Sequence, residues 1–294
     1  MKIYNYLLLG LAASAFCACD GHDDSPKAKP DEMCFTSSMA SSTRVDGESF
    51  QKGDKMGVYV VEYDGDTQRE LDSWGNYANN APAVNNGSFW QCRPAIYWKD
   101  NTKFDIFAYY PYGDVQSVEE YAFTVSSDQD SDEGPVSGYE ASDLLWASAK
   151  GVERMDKVPM VFHHTMSRLI VNLVKSKDYE GEIPDDVSVK LYSLTNDAVV
   201  DLATGVAMKS PRAKVGTTRM KKYSNEKFAA IVVPQRMYNK LPLIEVNTGN
   251  VSYLVESVIA FKPGRQYTFN VELSGNPDQM LIQIGGEIEG GWEE

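Results

Sequence analysis

The chain has 294 residues, a formal net charge of −14, 43% apolar residues and 24% charged ones. That length allows one large or two medium domains, and the apolar share is that of an ordinary globular protein. The acidic balance argues against nucleic-acid binding, which needs clustered Lys and Arg to neutralise phosphates, and otherwise marks a soluble surface.

The first element is a secretory signal over residues 1–18. Lys2 supplies its positive region, Leu7 to Ala15 its apolar run, and small residues from Ser14 lead to Ala18. The apolar run is too short to span a bilayer. Cys19, preceded by Ala18 and followed by Asp20, resembles the acylated first residue of a mature bacterial lipoprotein. Three acyl chains on one N-terminus, as lipoproteins carry, give stable anchoring, because each buried methylene contributes about 0.8 kcal/mol. Residues 19–32, acidic and Pro-containing, read as a flexible linker.

Two globular units follow, 33–165 and 166–294. Met33–Met39 is a weak strand, and Arg44 lies in Ser-rich sequence after it. Phe50–Val61 starts with a Gly-Asp turn and runs into a strand apolar on both faces. Tyr77–Ser88, rich in Asn, Ala, Pro and Gly, reads as loop. Phe89-Trp90 and Ile96-Tyr97-Trp98 read as short aromatic strands, and Phe104–Tyr110 as the strongest strand of this half, stopped by Pro111. Ser126–Gly138 is an acidic loop, Ser142–Ala147 returns to the core, and Val158–Phe162 is a strand. Strands are also expected at Arg168–Val174, Val187–Leu194, Phe228–Val233, Leu243–Asn247, Tyr253–Ile259 and Tyr267–Leu273. No segment keeps a 3.6-residue apolar period over a helix length, so the fold class is all-β, with two β-sandwiches in tandem. From Met280 on, Met280, Ile282, Ile284, Ile288 and Trp292 alternate with mostly polar neighbours. That period-two segment is either an edge strand of its own domain or a strand offered to another subunit.

Little in the chain suggests catalysis. His163 and His164 are neighbours on a strand and point to opposite faces, with no ligand at metal spacing. The run Asp128–Gly134 has its glycine one place late for a calcium loop. No nucleophile elbow, phosphate loop, dinucleotide fingerprint or zinc-protease motif is present. No cofactor, no metal and no enzymatic activity are expected. Of four cysteines, Cys17 lies in the signal and Cys19 is the acyl site, leaving Cys34 and Cys92 as a disulfide or as two buried thiols. Trp74, Tyr77, Trp90 and Trp98 are either a sugar platform or ordinary sandwich aromatics.

Taken together, several stretches resemble the fimbrillin family, the pilin-like lipoproteins of Bacteroides-type bacteria. They are the segment around Cys19, Thr43-Arg44 ahead of Phe50–Tyr59, Phe104–Tyr112, Asp128-Gln129 followed by Ser142–Ala147, Val161–Leu169 and Phe261–Tyr267. The acidic cluster after Cys19 is similar to the surface-export signal of such lipoproteins. The resemblance implies two transthyretin-like β-sandwiches, outer-membrane anchoring through lipid at Cys19 and assembly with other pilin subunits into a surface pilus. It further implies a trypsin-like cleavage, for which Arg44 is the candidate, that removes the N-terminal strand and opens a groove for a strand of another subunit. Met280, Ile282, Ile284, Ile288 and Trp292 are the candidate donor positions. Adhesion to a host or bacterial surface ligand fits the same resemblance, and the competing reading is a surface glycan-binding lipoprotein.

Overall fold

The computed structural model describes residues 31–40, 50–133, 136–248 and 251–274, together with the backbone of Gly285–Gly291. Nearly all of its regular structure is strand, and the only helix among these residues is one turn, α1 (Gly138–Ala141). The all-β expectation from short β-branched and aromatic runs is met.

Seven strands close into a barrel: β1 (Cys34–Met39), β2 (Lys55–Glu62), β3 (Ala78–Asn85), β4 (Trp90–Cys92), β5 (Phe104–Tyr110), β7 (Leu145–Val152) and β8 (Val158–His164). Around the ring the order is β1-β4-β3-β2-β5-β7-β8, and β1 meets β8 to close it. The remaining early strand, β6 (Tyr121–Thr124), leaves this barrel and pairs with β11 (Asp197–Asp201), itself paired with β12 (Val206–Lys209). A five-stranded sheet runs β14 (Lys221–Lys222), β15 (Lys227–Val232), β9 (Ser167–Lys175), β18 (Arg265–Leu273), β19 (Gly285–Gly291). A four-stranded sheet runs β13 (Val215–Arg219), β10 (Ser188–Thr195), β16 (Leu241–Thr248), β17 (Val251–Ser257).

The strands that are apolar on both faces are those that separate two cores. On β5, Phe104, Ile106, Ala108 and Tyr110 fill the barrel interior, while Phe107 and Tyr109 face a second cluster outside it. On β15, Ala229 and Ile231 face that same outer cluster, and Phe228, Ala230 and Val232 face a third core under the four-stranded sheet. The middle cluster therefore fuses the two halves of the chain, and it draws β6 and β11 into one sheet. A continuous hydrophobic run is what a strand covered on both sides requires.

Tyr77–Ser88, expected as loop, contains β3 instead. Asn, Ala and Pro are poor strand formers, but β3 is held by β2 on one side and β4 on the other, and pairing overrides propensity. The strands β6 and β11–β14 carried no expectation from sequence. The thiols Cys34 and Cys92 are both free and buried. Cys34 pairs with Gln91, so Cys92, one step on, faces the other side of the ladder.

Trp146 of β7 locks the halves together. Its Nε1 donates to the Leu202 carbonyl at 2.8 Å. Its ring lies over Gly205, where an added Cβ would approach Cδ2 and Cε3 to 2.5 Å at a φ of +73°. Gly205→Ala is therefore expected to cost about 2–3 kcal/mol, from strain in the left-handed region plus overpacking. The check is a double-mutant cycle in urea: pairing it with Trp146→Ala should recover at least half of that loss, and strict additivity would remove the assigned clash.

Candidate functional site

The first of the described strands, β1, is one of the staves that close the barrel, seated between β4 and β8. On one side it runs parallel to β8, with Phe35 opposite Val158 and Met39 opposite Phe162. On the other it runs antiparallel to β4, with Cys34 opposite Gln91 and Phe35 opposite Trp90. Parallel pairing of two strands more than a hundred residues apart needs no local turn, so β1 is held by its ladders and its side chains alone.

Alternation sends Met33, Phe35, Ser37 and Met39 inward. Met33 and Phe35 are fully buried in the barrel core, and Met39 packs against its rim. Ser37 Oγ accepts a hydrogen bond from Trp90 Nε1 at 2.9 Å. Phe50, beyond the strand, packs edge-on against Trp90 at 5.1 Å and lies 5.3 Å from Phe162.

A polar clasp holds the start of the strand. Gln91 Nε2 donates to Glu32 Oε1 at 2.6 Å. Met33 N–H reaches the Ile96 carbonyl at 2.8 Å, and Trp98 N–H reaches the Asp31 carbonyl at 2.9 Å. Arg154 bonds Asp31 and, at 3.1 Å, Asp100. The exposed Arg154 pairs are weak singly, so they fix register more than they stabilise, whereas Glu32 is buried.

Chemically, the site is a strand seated over an apolar slot. Without β1, the facing edges of β4 and β8 would carry unpaired N–H and C=O groups, and the core around Trp90, Met160 and Phe162 would be open. Such an edge pairs readily with any extended segment of matching alternation. Burial pushes the Cys92 thiol, on the floor of this slot, up to about 12, so it is protonated and unreactive while covered.

Of the residues singled out from sequence, Cys19, Arg44, Met280, Ile282, Ile284 and Trp292 lie outside the described residues. Ile288 lies in β19, where its backbone pairs with Thr268 of β18. Trp90 and Trp98 are buried, and Trp74 is exposed. His164 is buried with Nδ1 at 2.8 Å from Asp143 Oδ1, a contact between residues 21 apart that spacing alone did not announce. Among the described residues no group of three or more His, Cys, Asp and Glu is placed to hold a metal. The slot residues Ser37, Met160 and Phe162 were not singled out, and Trp90 was noted only as an aromatic, because only long-range pairing brings them together.

Comparison with known proteins places this architecture. The fimbrillin-like family profile matches residues 43–291. A candidate cell adhesion protein from Bacteroides ovatus superposes with a TM-score of 0.66 at 23% identity, over 84% of this chain and 92% of that one. Another from Bacteroides uniformis gives 0.62 at 17% identity, over 83% and 93%. At these identities the likeness is one of fold. Comparison with curated proteins finds no match.

Proposed function

The chain belongs to the fimbrillin-like family, and from that membership we propose that it is a structural subunit of a cell-surface pilus, without enzymatic activity. It is exported as an outer-membrane lipoprotein acylated at Cys19, cut after Arg44 by a trypsin-like protease, and joined to other subunits by strand exchange. The observation that carries this reading is the position of β1: it is a stave whose loss opens the barrel, and the one barrel strand that lies upstream of Arg44.

The tandem arrangement supports it. In the first half the opening strand β1 runs parallel to the closing strand β8; in the second, β9 runs parallel to β18. The chain passes from β8 to β9 between His164 and Ser167, changing sheets as it does so. We read this as two transthyretin-like units, 33–165 and 166–294, of which only the first has a detachable opening strand. The segment carrying Met280, Ile282, Ile284, Ile288 and Trp292 repeats the period-two alternation of Met33, Phe35, Ser37 and Met39, so it has the pattern the vacant slot would accept. Its partners are then other pilin subunits and, through lipid, the outer membrane, with adhesion to a surface ligand as the role of the assembled fibre.

Cys92 supplies the test. Cys34 departs with β1, so Cys92 is the reporting thiol of the cleaved body. A maleimide should leave it unmodified in the intact chain, modify it after trypsin treatment, and leave it unmodified again when a peptide of residues 280–292 is added. Modification at equal rates before and after cleavage would show that β1 does not leave.

A further inference from the structure

The ladder between β3 and β4 ends early. Only residues 83–85 of β3 face β4, and one further bond, from Arg93 N–H to the Pro82 carbonyl at 2.9 Å, terminates it. Neither Pro82 nor Pro94 has an N–H to carry it on. Past this point the two segments part company. Residues 78–82 stay on β2, whereas 96–98 turn to residues 31–33. The far end of the gap is closed by the Tyr77 hydroxyl, which donates to the Tyr97 carbonyl at 2.9 Å. What results is a cleft of about 450 Å³ between Tyr77–Pro82 and Pro94–Tyr97.

We propose that this cleft binds a neutral saccharide, one or two rings of a surface glycan. Its volume falls within the usual range of small-ligand sites, and its β3 wall is about 16 Å long at the rise of a strand. In a chain with 24% charged residues, none of the lining residues is charged. The cleft therefore offers no counter-charge to a phosphate, a carboxylate or an amine. Hydrogen bonds close it at both ends, which bars an extended peptide from running through it.

The lining matches what a sugar ring needs. Tyr97, 47% exposed, presents an aromatic body with a polar tip, and Pro82, Pro94 and Ile96 supply apolar wall. The carbonyl oxygen of Asn79 is occupied by Asn76 N–H and Nδ2, at 3.1 and 2.8 Å. Its amide nitrogen makes only a 3.5 Å contact with the Asn76 carbonyl and can donate to a ligand hydroxyl. Tyr77 is fixed in advance. Its ring lies 5.2 Å from Phe104 and 4.7 Å from the Lys99 ammonium, whose charge is taken up by Glu62 at 2.6 Å. A preset site loses less on ordering its walls.

The measurement is saturation-transfer NMR on the purified, uncleaved chain, so its outcome does not depend on assembly. The probes are the methyl glycosides of glucose, galactose, mannose, fucose and N-acetylglucosamine, with a sialoside as the anionic comparison. At least one neutral glycoside should bind at millimolar concentration or below. Tyr97→Ala should weaken that binding at least tenfold, whereas Tyr238→Ala, which removes an exposed tyrosine outside this cleft, should not change it. Ala95→Arg, a bulky charged replacement in the lining, should abolish binding and keeps the test decisive if Tyr97→Ala misfolds. No binding by any neutral probe, binding that survives both lining variants, or binding of the sialoside alone overturns the proposal.

Discussion

Arg44→Ala is expected to leave the chain at full length under a trypsin-like protease and to reduce polymer to background, with monomer accumulating instead. The reason is a competition between two strands for one slot. While the chain is continuous, β1 is tethered beside its own slot, and tethering of this kind is equivalent to an effective concentration in the millimolar range or above. A donor from another subunit would have to displace it at far lower concentration. The displaced contacts are not small: Met33 and Phe35 are fully buried, and each such side chain contributes about 2–3 kcal/mol. Five register pairs with β8 and two with β4 add ladder bonds worth about 0.5–1.5 kcal/mol each. Cutting after Arg44 leaves these contacts in place but removes the tether, so β1 can be lost by dilution and a longer donor can win. Arg44→Lys, which a trypsin-like protease still cuts, should polymerise normally. Gel analysis of polymer ladders and electron microscopy of both variants provide the measurement, and normal fibres from Arg44→Ala would end the switch reading.

How much of this was legible in the sequence depends on the range over which each feature is decided. Phe104–Tyr110 and Phe228–Val233 announced themselves as strands, because a segment with a core on each face must be apolar throughout. β3 did not, since Asn79, Asn80, Ala81 and Pro82 look like a turn until β2 is laid beside them. β6 and β11 are four and five residues long and pair across the two halves, so nothing near either one marks it. The same holds for the slot: Phe35 and Val158 are neighbours only because the barrel closes there. The resemblance to a family supplied the idea of a removable first strand. The residues beneath that strand, Trp90 and Phe162 among them, emerged only from its register.

Asp105 stood in plain view in the middle of an aromatic strand, and the largest single-residue loss of stability is expected there. Its side chain is completely buried, yet four donors converge on it. Tyr63 Oη and Gly151 N–H bond Oδ1 at 3.0 and 2.8 Å, Gln68 Nε2 bonds Oδ2 at 2.6 Å, and Lys150 Nζ lies 3.3 Å from Oδ2. The ladder between β5 and β7 shifts register between Phe104 and Ile106, and Gly151 sits there at a φ of +60°. The carboxylate thus receives the N–H that this bulge turns away from the ladder. Asp105→Ala removes the acceptor for all four donors at once and should cost about 3–5 kcal/mol, a large part of the stability of an ordinary domain. Asp105→Asn keeps one oxygen for Gly151 and should cost about half as much. Lys150→Ala, at a half-exposed cation, should cost less than about 1 kcal/mol. Urea midpoints of the uncleaved chain, read by tryptophan fluorescence, rank the three. If Lys150→Ala proves as damaging as Asp105→Ala, the ion pair rather than the hydrogen-bonded bulge holds this part of the barrel. The ranking bears on the proposed assembly as well, because a barrel that gave up β1 would have only its remaining seams, of which β5 with β7 is one, to keep it folded until a donor arrived.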